Sequence, residues 1–261
     1  MNLSLRHKHA LVCGSTGGIG LASAIELSRL GATITLLARN ESKLQATLPL
    51  LDGSAGQQHR HLVADLTDIR AAADAVRQGF RDTPCHILIN NTGGPPPGTA
   101  LDADFADYAT AFQAHLGSAQ MLTQIVSASM KAEGYGRIIN VISTSVKIPI
   151  FGLGVSNTIR GAMASWAKTI SLELGPYGIT VNNVLPGSTM TERLRAVIGS
   201  RAQRSGKSAE EVMEEMKGEI PLRRLSEPEE VGALVAFLAS PAAGYISGTS
   251  IPVDGGRTGS I

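Results

Sequence analysis

Short apolar runs alternate with segments of helical periodicity along most of the chain. Seven apolar runs rich in β-branched residues predict strands at residues 9–14, 33–38, 61–64, 86–90, 137–143, 179–185 and 249–254. The segments between them predict helices at 19–31, 41–50, 71–80, 104–133 and 156–174. Because strands that alternate with helices are joined by right-handed crossovers, they form a parallel sheet covered on both faces. We therefore expect an α/β fold with a doubly wound, Rossmann-type, mostly parallel sheet of about seven strands.

Residues 188–219 are the least sheet-like part of the chain. Their pattern predicts two amphipathic helices around a Ser/Gly break, placed between two core strands. No internal repeat, low-complexity tract or linker divides the remaining sequence. We therefore expect residues 1–261 to form a single domain, in which 188–219 is a helical lid over a substrate site.

Composition and charge exclude several classes of protein. Of the 261 residues, 43% are hydrophobic and 17% are charged, which is typical of a globular protein. The net charge of +1 offers no basic field for nucleic acid. No segment approaches the roughly 18 consecutive apolar residues of a membrane span, and the N-terminus lacks a signal-peptide pattern, so we expect a cytoplasmic protein. Cys13 and Cys85 have neither disulfide nor zinc-site spacing, and we expect reduced core residues and no metal site.

The first strand runs directly into the glycine-rich stretch GSTGGIG, residues 14–20, which a helix follows. Glycines at such a turn let the backbone approach a pyrophosphate, which the N–H groups of the helix N-terminus then bind. The spacing of Gly14, Gly18 and Gly20 differs from the common G-x-G-x-x-G, but the strand and helix around it indicate a dinucleotide site. Ser15 and Ile19 belong to the same candidate site.

The end of the second strand indicates which dinucleotide is bound. A site for NAD places a carboxylate there to accept from the ribose 2′-OH, whereas Ala38 followed by Arg39 suits a 2′-phosphate. NADP(H) is therefore favoured over NAD(H). The alternative is that Arg39 belongs only to a solvated loop.

Six motifs together resemble those of the short-chain dehydrogenase/reductases, and the nearest members are like the 3-oxoacyl-carrier-protein reductases. The motifs follow one another across almost the whole chain: GSTGGIG (14–20), ADLTD (64–68), NNTGG (90–94), RIINVIS (137–143), ITVNNVLPGSTMT (179–191) and IPVDGG (251–256).

The resemblance implies roles for matching positions. Asp65 and Leu66 would contact the adenine, and Asn90 would brace the central sheet. The positions implied near the rest of the cofactor are Asn91, Gly93, Pro186, Gly187 and Thr191. Simpler interpretations exist, since Asp65 could be a helix N-terminal residue and Pro186-Gly187 a turn. The resemblance also implies a homo-tetramer or dimer built from the two long helices.

The catalytic motif of the family is where the resemblance fails. The family uses a serine, a tyrosine, a lysine four residues later, and an asparagine on the preceding helix. Ser143 matches the serine, but Ser156 falls on the tyrosine position and Arg160 on the lysine position. His115 falls on the asparagine position, in a less secure register. Neither Tyr135 nor Tyr177 has a lysine four residues later, so no shift of register restores the motif.

The chemical consequence is a missing proton donor. A serine hydroxyl is a far weaker acid than a phenol, whose reference pKa is about 10. Arg160 stays protonated, so it would bind the ribose hydroxyls of the cofactor and supply positive potential, but it would not relay protons. A substitute set would use Ser143, Ser156 and Arg160, with His115 as an acid and Lys147 as a further cation. The alternative is that His115 is a hydrogen-bonded helix residue and Lys147 a solvated loop residue. A serine hydrolase built on Ser156 and His115 is disfavoured, because GVSNT lacks the second glycine of a nucleophile elbow.

Two functional hypotheses follow. The first is an NADP(H)-dependent oxidoreductase that acts on a small carbonyl or alcohol substrate, including acyl thioesters, with a non-standard catalytic set. The second is a nucleotide-binding homologue without turnover, which acts as a sensor or as the partner of an active subunit. The proline-rich loop 93–98 after the fourth strand would wall a substrate pocket or serve only as a rigid connection.

Overall fold

The computed structural model describes residues 1–260, which surround one parallel sheet of seven strands in the order β3-β2-β1-β4-β5-β6-β7. The strands are β1 (His9–Cys13), β2 (Thr33–Ala38), β3 (Arg60–Val63), β4 (Ile87–Asn90), β5 (Gly136–Val141), β6 (Ile179–Pro186) and β7 (Ser250–Val253). All seven predicted strands are confirmed, as is the Rossmann-type fold. The order reverses at β1, which pairs with β2 on one side and β4 on the other. Ligands of such sheets bind at this reversal, beyond the carboxyl ends of the strands.

Helices cover both faces of the sheet. They are α1 (Gly18–Arg29), α2 (Glu41–Thr47), α3 (Ile69–Gly79), α4 (Phe105–Phe112), α5 (Ser118–Glu133), α6 (Gly154–Leu174), α7 (Glu192–Ser205), α8 (Ala209–Gly218) and α9 (Pro228–Ala239). Helices α1, α2 and α9 pack on one face, where Leu27, Leu44 and Val235 are fully buried. Helices α3, α5 and α6 pack on the other, where Leu122 and Met130 are fully buried. The site therefore stands on two packed helical layers.

The predicted helix at 104–133 is interrupted. A single π-helical turn, Gln113–Gly117, separates α4 from α5 and contains His115. A π turn inserts one extra residue into the helical repeat and is frequent at functional sites. The interruption changes the direction in which the side chains of this turn point, and periodicity alone does not reveal it.

Helix α9 is an element that the sequence patterns did not assign. Glu227 and Glu230 form a capping box at its start, and Pro228 occupies the first helical position. Gly232 lies against the backbone of α1, where a Cβ would be 3.0 Å from the Ala22 carbonyl oxygen. The local signals for this helix were therefore present in the sequence, and its close packing on α1 explains the glycine.

Residues 188–219 form two helices, as the sequence predicts. Thr191 accepts a hydrogen bond from the Leu194 amide at the start of α7, and Ser208 caps α8 through the Glu211 amide. Gly206, with φ of +69°, ends α7 in the left-handed conformation. Within residues 1–260, no helix is both long and apolar enough to cross a bilayer.

Candidate active site

The glycine-rich turn at the end of β1 is shaped for close approach by a ligand. Gly14 and Gly18 have positive φ angles of 58° and 52°, which favour glycine. A Cβ on Gly20 would clash with the Gly14 carbonyl oxygen, so the turn folds tightly on itself. Among residues 1–260, no side chain caps the N-terminus of α1, and no heavy atom from another part of the chain lies within 4 Å of the position that a Gly17 Cβ would take. The free N–H groups of α1 therefore face open space, as a pyrophosphate site requires.

Two predicted cofactor residues hold this turn in place. The Asn91 side-chain amide donates to the carbonyls of Cys13 (3.3 Å) and Gly14 (3.2 Å). Asn91 therefore contacts the glycine turn itself. Thr191 lies opposite, with its methyl carbon 3.1 Å from where a Gly18 Cβ would be. The ends of β1, β4 and β6 thus meet around one cleft. Ser15 is fully buried, and its hydroxyl donates to the Leu37 carbonyl, while Ile19 packs against the core.

The position where the resemblance implies the adenine has the expected charges. Arg39 is exposed at the end of β2 and forms a loose ion pair with Asp65, 3.7 Å apart. Burial opposes ionisation of Asp65, but hydrogen bonds from Thr67 and the charge of Arg39 outweigh it and hold the pKa below its ordinary value. Leu66 is half-buried beside it. A weak, exposed pair leaves the Arg39 guanidinium free to reach a phosphate.

A buried ladder of polar side chains crosses the sheet below the cleft. Asn90 donates to Asn140 (2.8 Å), Asn140 to Asn183 (2.9 Å), and Asn183 to Ser250 (3.1 Å). The bracing role expected of Asn90 is confirmed. Pro186 ends β6, and Gly187 packs so closely on Asp254 that a Cβ would lie 2.7 Å from the Asp254 Cβ.

Ser143 begins a short turn at the end of β5. Its hydroxyl oxygen accepts from the Ser145 amide (3.1 Å), which leaves the hydroxyl proton free to be donated. The Ser145 hydroxyl is buried and has no hydrogen-bond partner among residues 1–260. Two serine hydroxyls therefore lie in one turn, and the sequence reasoning singled out only the first.

Ser156 and Arg160 lie one turn apart on α6 and both face inward, with exposures of 7% and 8%. Arg160 donates from Nη1 to the Val141 carbonyl at the end of β5 (2.8 Å). Burial, and after it the charge of Arg193, lowers the pKa of Arg160 to about 10, so the guanidinium stays charged near neutral pH. The candidate cleft thus holds a fixed positive charge where the resemblance places a lysine.

His115 lies in the π turn and is 4% exposed. Its Nδ1 is hydrogen-bonded to the Thr92 hydroxyl after β4. Burial, followed by the charges of Arg160 and Arg193, lowers the pKa of His115 to about 3. The ring is therefore neutral near neutral pH, and an imidazolium acid at this position is disfavoured by its surroundings.

Lys147 is not brought into this cluster. It is exposed at the end of the turn that Ser143 begins, and it has no side-chain hydrogen bond or ion pair with any residue from 1 to 260. The interpretation of Lys147 as a solvated loop residue agrees with this placement.

The proline-rich loop 93–98 is held from both sides. Gly98 exchanges backbone hydrogen bonds with Gly152 (2.8 Å) and Gly154 (2.9 Å), just before α6. On the other side, Arg193 of α7 donates to the carbonyls of Gly94 (2.6 Å) and Pro95 (3.0 Å). Gly93 has no heavy atom within 4 Å of a would-be Cβ, which leaves space beside the cleft.

Sequence reasoning missed Thr92, Ser145 and Arg193. Thr92 lies inside the NNTGG motif, and Arg193 follows Thr191 by two residues, so their proximity to motif residues was the available signal. Cys13 and Cys85 are buried, and this burial is the main reason why the pKa of each thiol is raised to about 12. Residues 1–260 contain no group of three or more His, Cys, Asp or Glu that could hold a metal ion.

Taken together, the cleft fits a dinucleotide. The uncapped start of α1 and the tight glycine turn suit a pyrophosphate, Arg39 suits a 2′-phosphate, and Gly93 leaves room at the other end. Around that end stand hydroxyl donors, the cation of Arg160 and the neutral ring of His115. Such a set can polarise a carbonyl and stabilise negative charge.

Comparisons with known proteins agree with this geometry. The family described as Enoyl-(Acyl carrier protein) reductase matches residues 14–258. A monensin polyketide synthase putative ketoacyl reductase from Streptomyces virginiae is 33% identical over 256 residues, covering 95% of each chain. The NADPH-dependent reductase BacG of Bacillus subtilis is 29% identical over 256 residues, covering 97% of this chain and 98% of that protein. The structure of L-sorbose reductase from Gluconobacter frateurii, complexed with NADPH and L-sorbose, covers 100% of both chains with 26% identity and a TM-score of 0.92.

Proposed function

The chain belongs to the short-chain dehydrogenase/reductase family, and we propose that it is an NADP(H)-dependent oxidoreductase that interconverts a carbonyl and an alcohol. The observation that carries the proposal is the convergence of the glycine turn, Arg39 and a cluster of hydroxyl donors with a cation at one edge of the sheet. BacG and the sorbose reductase, both named with NADPH, support the cofactor assignment.

The residues that would hold NADP(H) surround the cleft. The N–H groups at the start of α1 would bind the pyrophosphate, Arg39 the 2′-phosphate, and Asp65 with Leu66 the adenine. The reduced cofactor supplies the hydride. Pro186, Gly187 and Thr191 would line the nicotinamide end.

At the reacting end, the chain binds and polarises the carbonyl oxygen. Ser143 has a free hydroxyl proton to donate to that oxygen, and Ser156 is the second hydroxyl of the cleft. Arg160 supplies positive potential for the negative charge that develops as hydride arrives. Neutral His115 is a hydrogen-bonding group joined to Thr92, and the proton comes from water. Catalysis then depends on positioning and electrostatic stabilisation in place of a side-chain acid.

The substrate class nearest to the proposal is a 3-oxoacyl compound. The ketoacyl reductase relative and the acyl-carrier-protein reductase description of the family support an acyl thioester among the candidates. Helices α7 and α8 are proposed as the lid over this substrate, since Arg193 ties α7 to the loop 93–98.

The rival function is nucleotide binding without turnover. What favours it is that Ser156 and Arg160 stand where the resemblance places a tyrosine and a lysine, since loss of a positioned general acid costs about 100- to 10,000-fold. Such a protein would act as a sensor or as a partner subunit.

Activity on a panel of 3-oxoacyl thioesters, ketones and aldehydes separates the two functions. We expect NADPH oxidation with at least one substrate, and a fall of about 100-fold in kcat/KM in Ser143→Ala, because one donor to the reacting oxygen is lost. Ser127→Ala, on the exposed side of α5, is the matched control and should behave as wild type. NADPH binding without turnover on any substrate would support the rival function instead.

Assembly into a dimer or tetramer is proposed for α4, α5 and α6. Phe105 and Phe112 are 85% and 48% exposed, and with Ile69 and Ile159 they line a surface groove of about 580 Å³. Light scattering after size-exclusion chromatography tests this, with Phe112→Arg expected to shift the mass toward the monomer. A wild-type protein with the mass of a monomer would contradict the proposed assembly.

A further inference from the structure

Arg193 is an exposed positive charge at the N-terminal end of a helix. It lies in the first turn of α7, where the helix dipole is positive and a cation is disfavoured. Its guanidinium faces the cleft that contains Arg160, and no Asp or Glu from residues 1–260 lies within 4.0 Å of either arginine. The fold therefore brings two cations together, and no carboxylate among residues 1–260 neutralises them.

The bonds that Arg193 makes orient it without removing its charge. Its two donors go to the Gly94 and Pro95 carbonyls, which are neutral acceptors. A Cβ on Gly94 would be 2.6 Å from the Arg193 Cζ, so the guanidinium lies directly against this part of the loop. Two of the five N–H groups are used, and the rest remain available to a ligand.

Arg160 also has guanidinium N–H groups that the protein leaves unused, and it is more buried than Arg193. Another buried arginine, Arg137, donates to the carbonyls of Gly136, Gly178 and Ser240 and lies over the Tyr135 ring, 4.2 Å from its centroid. Arg160 has one such bond, to Val141. Its other guanidinium nitrogens have no protein partner among residues 1–260 and are not sealed from solvent. An isolated buried charge is unfavourable, and an anion in the cleft would compensate it.

The two arginines flank the place where the carbonyl is expected. Arg193 lies over the segment that follows β4, and Arg160 lies under the end of β5 next to the Ser143 turn. We propose that Arg193 binds a carboxylate of the substrate, whose reacting carbonyl points toward Arg160 and Ser143, so that the substrate is an oxo acid. This assignment rests on the function proposed above and names its substrate class.

The cofactor is the competing anion. Its phosphates would have donors of their own at the start of α1 and at Arg39. Arg193 is instead held against the carbonyls of Gly94 and Pro95. The position therefore favours the substrate over the cofactor as the partner of Arg193.

The test measures binding to the NADP⁺ complex by isothermal titration calorimetry. The probes are two matched pairs, benzoylformate with its methyl ester and levulinate with its methyl ester, so that each pair differs only in the charge. We expect the wild type to bind at least one acid about 10- to 100-fold more tightly than its ester, because charge-assisted bidentate bonds are strong. Arg193→Gln should abolish that preference, and Arg193→Lys should keep part of it.

Arg195→Gln is the matched control, because Arg195 is exposed on the same helix and two residues away, on the opposite face. It should bind like the wild type. The proposal is overturned if each acid binds as tightly as its ester. It is also overturned if none of the four compounds binds. A loss of NADP⁺ affinity in Arg193→Gln that matches the loss for the acid overturns it too, since Arg193 would then serve the cofactor. Failure of the wild type to bind NADP⁺ at all would instead overturn the proposed function.

Discussion

The two ends of the cleft differ in the groups they present to a ligand, which are main-chain groups at one end and side chains at the other. At the cofactor end, the glycine turn and the start of α1 present main-chain N–H groups, and Asn91 supports them through two main-chain carbonyls. At the catalytic end, the chemistry depends on side chains, namely Ser143, Arg160 and His115. Backbone geometry needs glycine at fixed positions and tolerates little change, whereas side-chain chemistry can be replaced piece by piece.

This difference accounts for a resemblance to the family that holds at one end and fails at the other. A Cβ at Gly20 is excluded by the backbone whatever the reaction is. At the other end, Ser156 and Arg160 stand where the resemblance places a tyrosine and a lysine, and the fold around them is intact, since β5 pairs with β6 and α6 packs on that part of the sheet. The comparison predicts that substitutions at the cofactor end remove binding, and that substitutions at the catalytic end change the reaction.

Gly20→Val should have the largest effect. Its Cβ has no room against Gly14 and Asn91, so the turn must open and the N–H groups of α1 must move. We expect NADPH affinity, measured by fluorescence titration, to fall by about 1,000-fold, or about 4 kcal/mol. Circular dichroism and thermal melting establish that the variant is folded.

Gly199→Ala is the control for Gly20→Val. Gly199 lies in α7 with no heavy atom within 4 Å of a would-be Cβ, and alanine is the better helix former. It should keep wild-type affinity and gain up to about 1 kcal/mol of stability. NADPH affinity in Gly20→Val within a few-fold of wild type would contradict the account of the turn.

Arg160→Met tests the other end. We expect kcat/KM to fall by about 100-fold, because a charge that stabilises the reacting oxygen is lost. Stability should change by less than about 1 kcal/mol, because removal of a poorly compensated cation offsets the loss of its hydrogen bond to the Val141 carbonyl. Thermal melting and steady-state kinetics on the same preparation measure both effects, and Arg160→Lys should retain part of the activity.

Arg137→Met is the matched comparison for Arg160→Met. Arg137 is equally buried but donates to three main-chain carbonyls, each of which would lose this donor. We expect a loss of about 1 to 3 kcal/mol in stability and unchanged activity per folded molecule. If Arg160→Met is the more destabilising of the two, Arg160 is a structural residue and its catalytic assignment is wrong.

Arg39→Ala sharpens the cofactor end. We expect affinity for NADPH to fall by about 10-fold and affinity for NADH to stay the same, because a single charged contact to the 2′-phosphate is lost. Arg81→Ala, an exposed arginine on the loop after α3, controls for the change in net charge. Equal wild-type affinity for both cofactors, unaffected by Arg39→Ala, would refute the preference for NADP(H).

His115→Asn should have the smallest effect, which is a change in how the free energy of unfolding depends on pH. His115 has an ordinary pKa near 6.5 when unfolded and a pKa of about 3 when folded, so the unfolded state binds the additional proton between these values. Stability is therefore retained above pH 6.5 and falls as pH decreases toward 3. His115→Asn should reduce that fall by on the order of 1 kcal/mol, measured by urea unfolding from about pH 7 to 4.5.

His9 also makes stability decrease as the pH falls, because burial, and after it the charge of Arg60, lowers its pKa to about 4. The acid dependence is therefore reduced and not abolished in His115→Asn. His7→Asn, at an exposed position with φ of 63° that asparagine tolerates, is the control. An identical slope in the wild type and in His115→Asn would show that His115 titrates normally.

Most of the fold could be read from the sequence because apolar periodicity reports burial directly. The seven strands and the helix pair of 188–219 follow from it, and the glycine turn follows from its position after β1. The π turn at Gln113–Gly117 could not be read, because one inserted residue leaves the local composition unchanged. The neutral state of His115 could not be read either, since it depends on burial and on Arg160 and Arg193, which are distant in sequence.

The pH dependence of kcat/KM for carbonyl reduction tests the central claim most directly, which is that a fixed cation replaces the side-chain acid. Arg160, with a pKa of about 10, and His115, with a pKa of about 3, both keep their charge state between about pH 6 and 9. The account predicts a flat profile across that range, in the wild type and in His115→Asn alike. A profile that falls with a single inflection inside the range, and loses that inflection in His115→Asn, would contradict it and identify His115 as the proton donor.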